Sequence, residues 1–210
     1  MSNKADFYEY LKDAELGIST RGRIERHADK SKYPYEPTSY SVLDRLCDSG
    51  YLNDNDCLLD YGCGKGRVVF YLHERIGCET IGIEIEQDFY DDAIGNRNDY
   101  HEKTQKDTGR IRLFRAKAQS FEVPEEVTAC FFFNPFSSDI FKNAMARILE
   151  SMRRYPRRVR LFLYYPGEKY MNCLSGTDGI RLLDEIDCRD LFPEEDDRNR
   201  IMIYEIGESG

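Results

Sequence analysis

From residue 57 onward, short apolar runs alternate with longer amphipathic segments, and this order limits the chain to few architectures. CLLDY (57–61), TIGIEI (80–85), IRLFRA (111–116), VTACFFF (127–133) and RVRLFLYY (158–165) have the length and content of strands. VTACFFF is apolar but for Thr128, as in a strand buried on both faces. Between these runs, GKGRVVFYLHERIG (64–77) reads as loop and helix. EQDFYDDAIGNRNDYHEK (86–103) and SSDIFKNAMARILESMRRY (137–155) read as helices, the first with Phe89, Ala93 and Ile94 inward. In the second, Ser137 or Ser138 is the expected cap and Ile140, Phe141, Ala144, Ile148 and Leu149 share one side. GIRLLDEIDC (179–188) and RIMIYEI (200–206) are two last strands, an antiparallel pair around RDLFPEEDDRN. Strands alternating with helices predict an α/β fold with a parallel central sheet. The strand–loop–strand ending suits a seven-stranded sheet whose last strand inserts antiparallel.

Residues 1–36 are polar and tyrosine-rich, with one short helix expected near 5–15; they form an N-terminal extension, or lid, before a main domain at 37–210. In YPYEPTSYSVLDRLCDSG (33–50), Pro37 marks a helix start, Thr38 or Ser39 is the expected cap and Gly50 the stop. At 210 residues the chain suffices for one domain with a real core. With 33% charged residues and no apolar run near the roughly 18 needed for a membrane span, it reads as globular. The polar, acidic N-terminus does not read as a secretory signal. Seven cysteines without CxxC pairing suggest neither a disulfide framework nor a zinc site, so a reducing cytoplasm is the expected location. The three histidines, His27, His73 and His101, form no spaced cluster, and no metal is expected. A net charge of −9 argues against a large nucleic-acid interface. The basic run RRYPRRVR (153–160) reads as a solvated helix end, and PEEDDRN (193–199) as a solvent-facing acidic turn.

Ligands of such sheets bind at the carboxyl ends of the strands, where the strand order reverses. DYGCGKG (60–66) lies there, between the first strand and its helix. Gly62 and Gly64 allow a tight turn and close approach of a ligand to main chain, and Gly66 allows close helix packing. Glu84 ends the next strand, about 20 residues on, where a carboxylate can accept hydrogen bonds from both hydroxyls of a ribose. The P-loop spacing is absent, and G-x-G-x-G differs from the G-x-G-x-x-G of dinucleotide sites, which disfavours a nicotinamide oxidoreductase.

LLDYGCGKGRV resembles the first motif of class I S-adenosylmethionine-dependent methyltransferases, TIGIEIE their following acidic strand, and FFFNPF (131–136) the turn after the fourth strand. The resemblance covers roughly residues 33–170. It implies a Rossmann-like three-layer sandwich around a seven-stranded, mostly parallel sheet, and S-adenosyl-L-methionine as cofactor. It implies that Asp60, Gly62, Cys63 and Gly64 border the amino-acid end of the cofactor, and that Glu84 holds the ribose. Family members carry an acidic residue at the third-strand end; here RAKAQSF stands there, and the Ala118 backbone or the Gln119 side chain takes the adenine contact. Tyr35 and Thr38 are candidates for a lid over the methionine portion. In N-methylating relatives an Asp/Asn-Pro-Pro-aromatic turn binds a planar amino group. Asn134, Pro135 and Phe136 match it with one proline, either as the acceptor site or as a loop cap and pocket wall. Tyr164 and Tyr165 are a second wall candidate. The expected reaction is in-line methyl displacement onto an N or O nucleophile of a protein or small molecule. A non-catalytic module that binds the same nucleoside is the alternative.

Overall fold

The computed structural model describes residues 2–22 and 35–207. His27, together with Tyr33 and Pro34 of the YPYEP run, lies outside the described residues. The sheet has seven strands: β1 (Cys57–Tyr61), β2 (Glu79–Glu84), β3 (Ile111–Arg115), β4 (Ala129–Phe132), β5 (Val159–Tyr164), β6 (Ile180–Asp187) and β7 (Arg200–Ile206). Their order is β3-β2-β1-β4-β5-β7-β6. The first five are parallel, and β7 runs antiparallel between β5 and β6. The fold is therefore the mostly parallel α/β arrangement that the alternation predicts.

Two hydrophobic clusters sandwich the sheet. On one face, α2 (Tyr40–Asp48), α3 (Arg67–Ile76) and α4 (Gln87–Thr104) bring Leu43, Phe70 and Tyr100 against Leu58, Phe131 and Phe162. On the other, α5 (Ser138–Arg154) and α6 (Glu168–Ser175) bring Phe141, Ile148 and Tyr170 against Leu59, Phe132 and Leu161. Alternate residues of one strand thus feed opposite layers, as the two-residue period of a strand requires. Helix α6 falls in GEKYMNCLS, which the sequence reading assigned to no element. It lies on α5, where the Tyr170 ring stacks on Phe141 with centroids 4.0 Å apart.

The N-terminal helix α1 (Ser2–Leu16) packs beside α2 and α4, and polar groups fasten it there. Ser39 occupies the N-cap of α2 but makes no capping bond with its own helix. Its hydroxyl donates instead to Glu9 at 3.0 Å, and Glu9 also accepts the Tyr40 N–H at 3.0 Å. Glu9 is thus the cap, supplied from another helix, and neither Thr38 nor Ser39 caps with its side chain. Ser137 likewise stands at the N-cap of α5 without a side-chain cap bond.

Arg67, the first residue of α3, anchors the same region. Its guanidinium is buried, donates to Thr20 Oγ1 at 2.7 Å and to the Thr38 carbonyl at 3.1 Å, and pairs with Glu9. Asp13 lies 3.7 Å away, and the Tyr40 ring faces the guanidinium at 4.3 Å. Asp13 in turn accepts from the Thr20 N–H (2.8 Å), the Thr20 hydroxyl (2.7 Å) and the Tyr40 hydroxyl. The chain that precedes the main sheet is in this way tied to the helix that follows the glycine loop.

Candidate active site

A cavity of about 990 Å³ opens along the carboxyl edge of the sheet, between the ends of β1 and β4 where the strand order reverses. The loop after β1 forms its floor. The N–H groups of Gly62 and Cys63 both donate to the Ile83 carbonyl at 3.0 Å, and Gly66 closes the turn onto Cys63 at 2.8 Å. Gly62 has φ 79°, and a Cβ there would lie 2.9 Å from Cβ of Pro135. The glycine loop and the turn after β4 therefore touch across the switch point. Gly64 has φ 53°, and a Cβ there would lie 2.5 Å from the Tyr35 ring. Gly64→Ala is expected to strain the loop and displace Tyr35, weakening cofactor binding about tenfold or more, read by calorimetry.

Glu84 closes β2 and is buried. One carboxylate oxygen accepts the Gly64 N–H at 3.0 Å, and the other accepts the N–H groups of Ile85 and Glu86 at 2.8 Å. Burial raises its pKa, and the three N–H groups oppose that rise. Asp60, at the end of β1, differs. It is 3% exposed, yet among the described residues no donor reaches its carboxyl group. Burial, and secondarily the nearby charge of Glu84, push its pKa up to about 8.

The turn after β4 supplies the far side. Asn134 sits at φ 42°, a left-handed conformation that costs a non-glycine residue about 1–3 kcal/mol and clusters at functional sites. Its side-chain amide has no partner among the described residues. Pro135 rests on Gly62, and the Phe136 carbonyl accepts the Tyr170 hydroxyl from α6. The Phe136 ring stands edge-on to Phe132 at 6.2 Å and to Tyr61 at 6.5 Å. Beyond this turn, Phe133 packs on Tyr164 with centroids 4.7 Å apart. Tyr165 has φ 53° and donates its hydroxyl to Asp196, while Arg198 lies over its ring at 4.3 Å.

Of the residues singled out in the sequence, Tyr35, Thr38, Asp60, Gly62, Cys63 and Gly64 line this cavity. Glu84, Ala118, Gln119, Asn134, Pro135 and Phe136 line it as well. Gly66 does not; it is the N-cap of α3 at φ 89°, packed against the Phe70 ring. Ala118 and Gln119 open a short 3₁₀ turn after β3, whereas Lys117 points to solvent. The Tyr35 hydroxyl donates to the Thr20 carbonyl at 2.6 Å, and its ring lies 4.8 Å from Phe89. The acidic turn needs correction: besides facing solvent, it walls the cavity with Glu194, Asp196 and Asn199. Phe89, Phe133 and Phe192 also line it without having been singled out as site residues, since an isolated aromatic carries no signal of which space it borders.

Residues 58–158 match the family model described as a methyltransferase domain. Over 68 residues, 32% of this chain, the sequence is 32% identical to a histone-lysine N-methyltransferase specific for lysine 79 of H3 from Dictyostelium discoideum. The chain spans only 4% of that relative's length. Among solved structures, a TehB-like S-adenosylmethionine-dependent methyltransferase from Corynebacterium glutamicum shares the fold with a TM-score of 0.57 at 15% identity, covering 99% of this chain and 97% of that one. An RNA methyltransferase from Salinibacter ruber, solved with S-adenosyl-L-homocysteine, gives 0.54 at 17% identity, covering 83% and 95%. The matched segment, just under half of the chain, thus carries a methyltransferase domain within a Rossmann-like fold, and the methyl donor this implies is S-adenosylmethionine. No described helix is long and apolar enough to cross a membrane.

Proposed function

We propose that this chain moves a methyl group from S-adenosylmethionine, by in-line displacement, to an N or O nucleophile on a protein or small molecule. One observation carries the reading. A bare glycine turn, a buried carboxyl group without a donor among the described residues and a strained Asn-Pro-Phe turn meet in one cavity. The cofactor supplies an electrophilic methyl group on a cationic sulfur, with a neutral thioether as leaving group. Asp60 holds the ammonium of its amino-acid end, which the main chain of Gly62, Cys63 and Gly64 borders, and Glu84 holds the ribose. Ala118 and Gln119 border the adenine, and Tyr35 and Thr38 cover the methionine portion.

Catalysis of such a transfer rests on alignment and on exclusion of water more than on acid–base chemistry. Asn134 and the Pro135 carbonyl orient the acceptor, and Phe136 walls it. The relatives differ in what their names say they methylate: a histone lysine in one case, RNA in another. The test is calorimetry with the cofactor and its demethylated product, followed by transfer of a labelled methyl group to fractionated cell extract. Absence of binding to either compound refutes the reading.

Asp60 gives this site a pH signature. Near pH 7 a carboxyl group with a pKa of about 8 is mostly neutral. A cation placed beside it favours the charged form and lowers that pKa, so binding releases a proton. Affinity is therefore expected to rise as the pH climbs from 6 to about 8 and to level off above. In Asp60→Asn the rise is expected to vanish. Calorimetry in buffers of different ionisation enthalpy measures the released proton directly.

A further inference from the structure

The electrostatics of the cavity select among acceptors. Among the described residues, six carboxyl groups and one guanidinium line it. Asp60, Glu84 and Glu86 stand at the ends of β1 and β2, whereas Glu36 precedes α2 and Glu194 and Asp196 belong to the loop before β7. The guanidinium, Arg67, is held by Glu9 and Asp13. The nearby Arg198 is bound to Asp196 at 2.6 Å. A phosphate chain entering here would meet carboxylates and no unengaged cation.

The far end of the cavity also continues outward. A groove of about 470 Å³ shares Glu36, Arg67, Phe133, Tyr164 and Phe192 with it and reaches α1, where Asp6 and Glu9 join the wall. Its wall joins these aromatic rings to three carboxyl groups, Asp6, Glu9 and Glu36, and to two guanidiniums, Arg67, which pairs with Glu9, and Arg21, which lies 3.8 Å from Asp13. Rings that present their faces beside carboxylates stabilise an aliphatic ammonium by cation–π and Coulomb attraction together. The amide of Asn134, which lines the main cavity, has no partner among the described residues and is available to orient an amino group.

We propose that the methyl acceptor is an aliphatic amine that arrives as an ammonium on a flexible arm, drawn in by Glu36, Glu194 and Asp196 and seated against Phe133, Tyr164 and Phe192. This rests on the reading of the site as a methyl-transfer centre. The ammonium releases one proton to water through the groove. The freed nitrogen lone pair then forms the N–C bond while the C–S pair stays on sulfur. The products are a methylated ammonium, a neutral thioether and one proton, so that charge balances. Two sources carry this chemistry, a lysine in a basic polypeptide and a free polyamine.

The experiment offers the purified full chain a polylysine peptide, spermidine and an RNA transcript, with labelled S-adenosylmethionine, after calorimetry has tested cofactor binding. Label on an amine nitrogen of the peptide or of spermidine is the expected result, and which of the two is labelled identifies the source. Cofactor binding with label only in RNA, or in none of the three, overturns the inference and leaves the methyl-transfer reading standing. Absence of cofactor binding removes both. The double variant Glu194→Gln/Asp196→Asn is expected to lower kcat/KM for the amine about tenfold at low salt while leaving cofactor affinity unchanged. A kcat/KM equal to wild type would also overturn the assignment of these carboxylates.

Discussion

Glu84→Ala is expected to weaken binding of S-adenosylmethionine and of its demethylated product by about two orders of magnitude or more. In the proposed binding mode the Glu84 carboxylate takes two ribose hydroxyls, and hydrogen bonds to a charged group each contribute about 1.5–3 kcal/mol. Losing two amounts to roughly 3–6 kcal/mol, or a factor of about 10² to 10⁴ in affinity. The three N–H groups that Glu84 now satisfies, those of Gly64, Ile85 and Glu86, border the open cavity, where water can replace it. Burial raises the pKa of Glu84, so the folded chain bears a desolvation cost for this charge. The melting temperature of Glu84→Ala is therefore expected to stay level or rise while affinity collapses. Glu84→Gln, which keeps one acceptor oxygen, is expected to fall between. A dissociation constant within threefold of wild type in the alanine variant would place the nucleoside elsewhere.

What the sequence made legible here was local. The glycine turn, the strand before it and the acidic residue closing the next strand lie within 28 consecutive residues, 57–84, so spacing alone places them side by side. The alternation of strands and helices likewise gives the parallel order and the antiparallel end. What stayed hidden depends on distant partners. Ser39 has the chemistry of a cap, and only the fold brings Glu9 within 3.0 Å to replace it. Asp60 belongs to a recognisable motif, but the lack of a donor to it among the described residues is a property of the assembled cavity. Helix α6 is short and sits between Gly167 and Gly176, so its eight residues carry little periodicity. Charge density in PEEDDRN marks a polar loop without telling which side of the loop faces a cavity.

Arg67 concentrates that non-local information in one side chain. Arg67→Ala is expected to cost about 3–5 kcal/mol of unfolding free energy in a denaturant titration, because it leaves buried acceptors without their cation. Asp13 is 3% exposed and would retain its bonds from Thr20 and Tyr40 and a long contact, 3.8 Å, with the half-exposed Arg21. Glu9 would keep its cap on α2 without charge compensation. Replacing the whole ionic set, as in Glu9→Gln/Asp13→Asn/Arg67→Met, is expected to recover part of that loss, since no charge is then left buried and unpaired. The second consequence falls on the cofactor. Thr20, fixed by Arg67 and Asp13, accepts the Tyr35 hydroxyl and so holds that ring over Gly64. Releasing Thr20 is expected to weaken cofactor binding beyond what lost stability explains. Ile148→Ala, a fully buried change in α5 on the opposite face, is the control: it should cost about 2–5 kcal/mol and leave affinity for the folded protein intact. If Arg67→Ala unfolds within 1 kcal/mol of wild type, or if the two variants bind the cofactor equally, the guanidinium does not couple the N-terminal segment to the site.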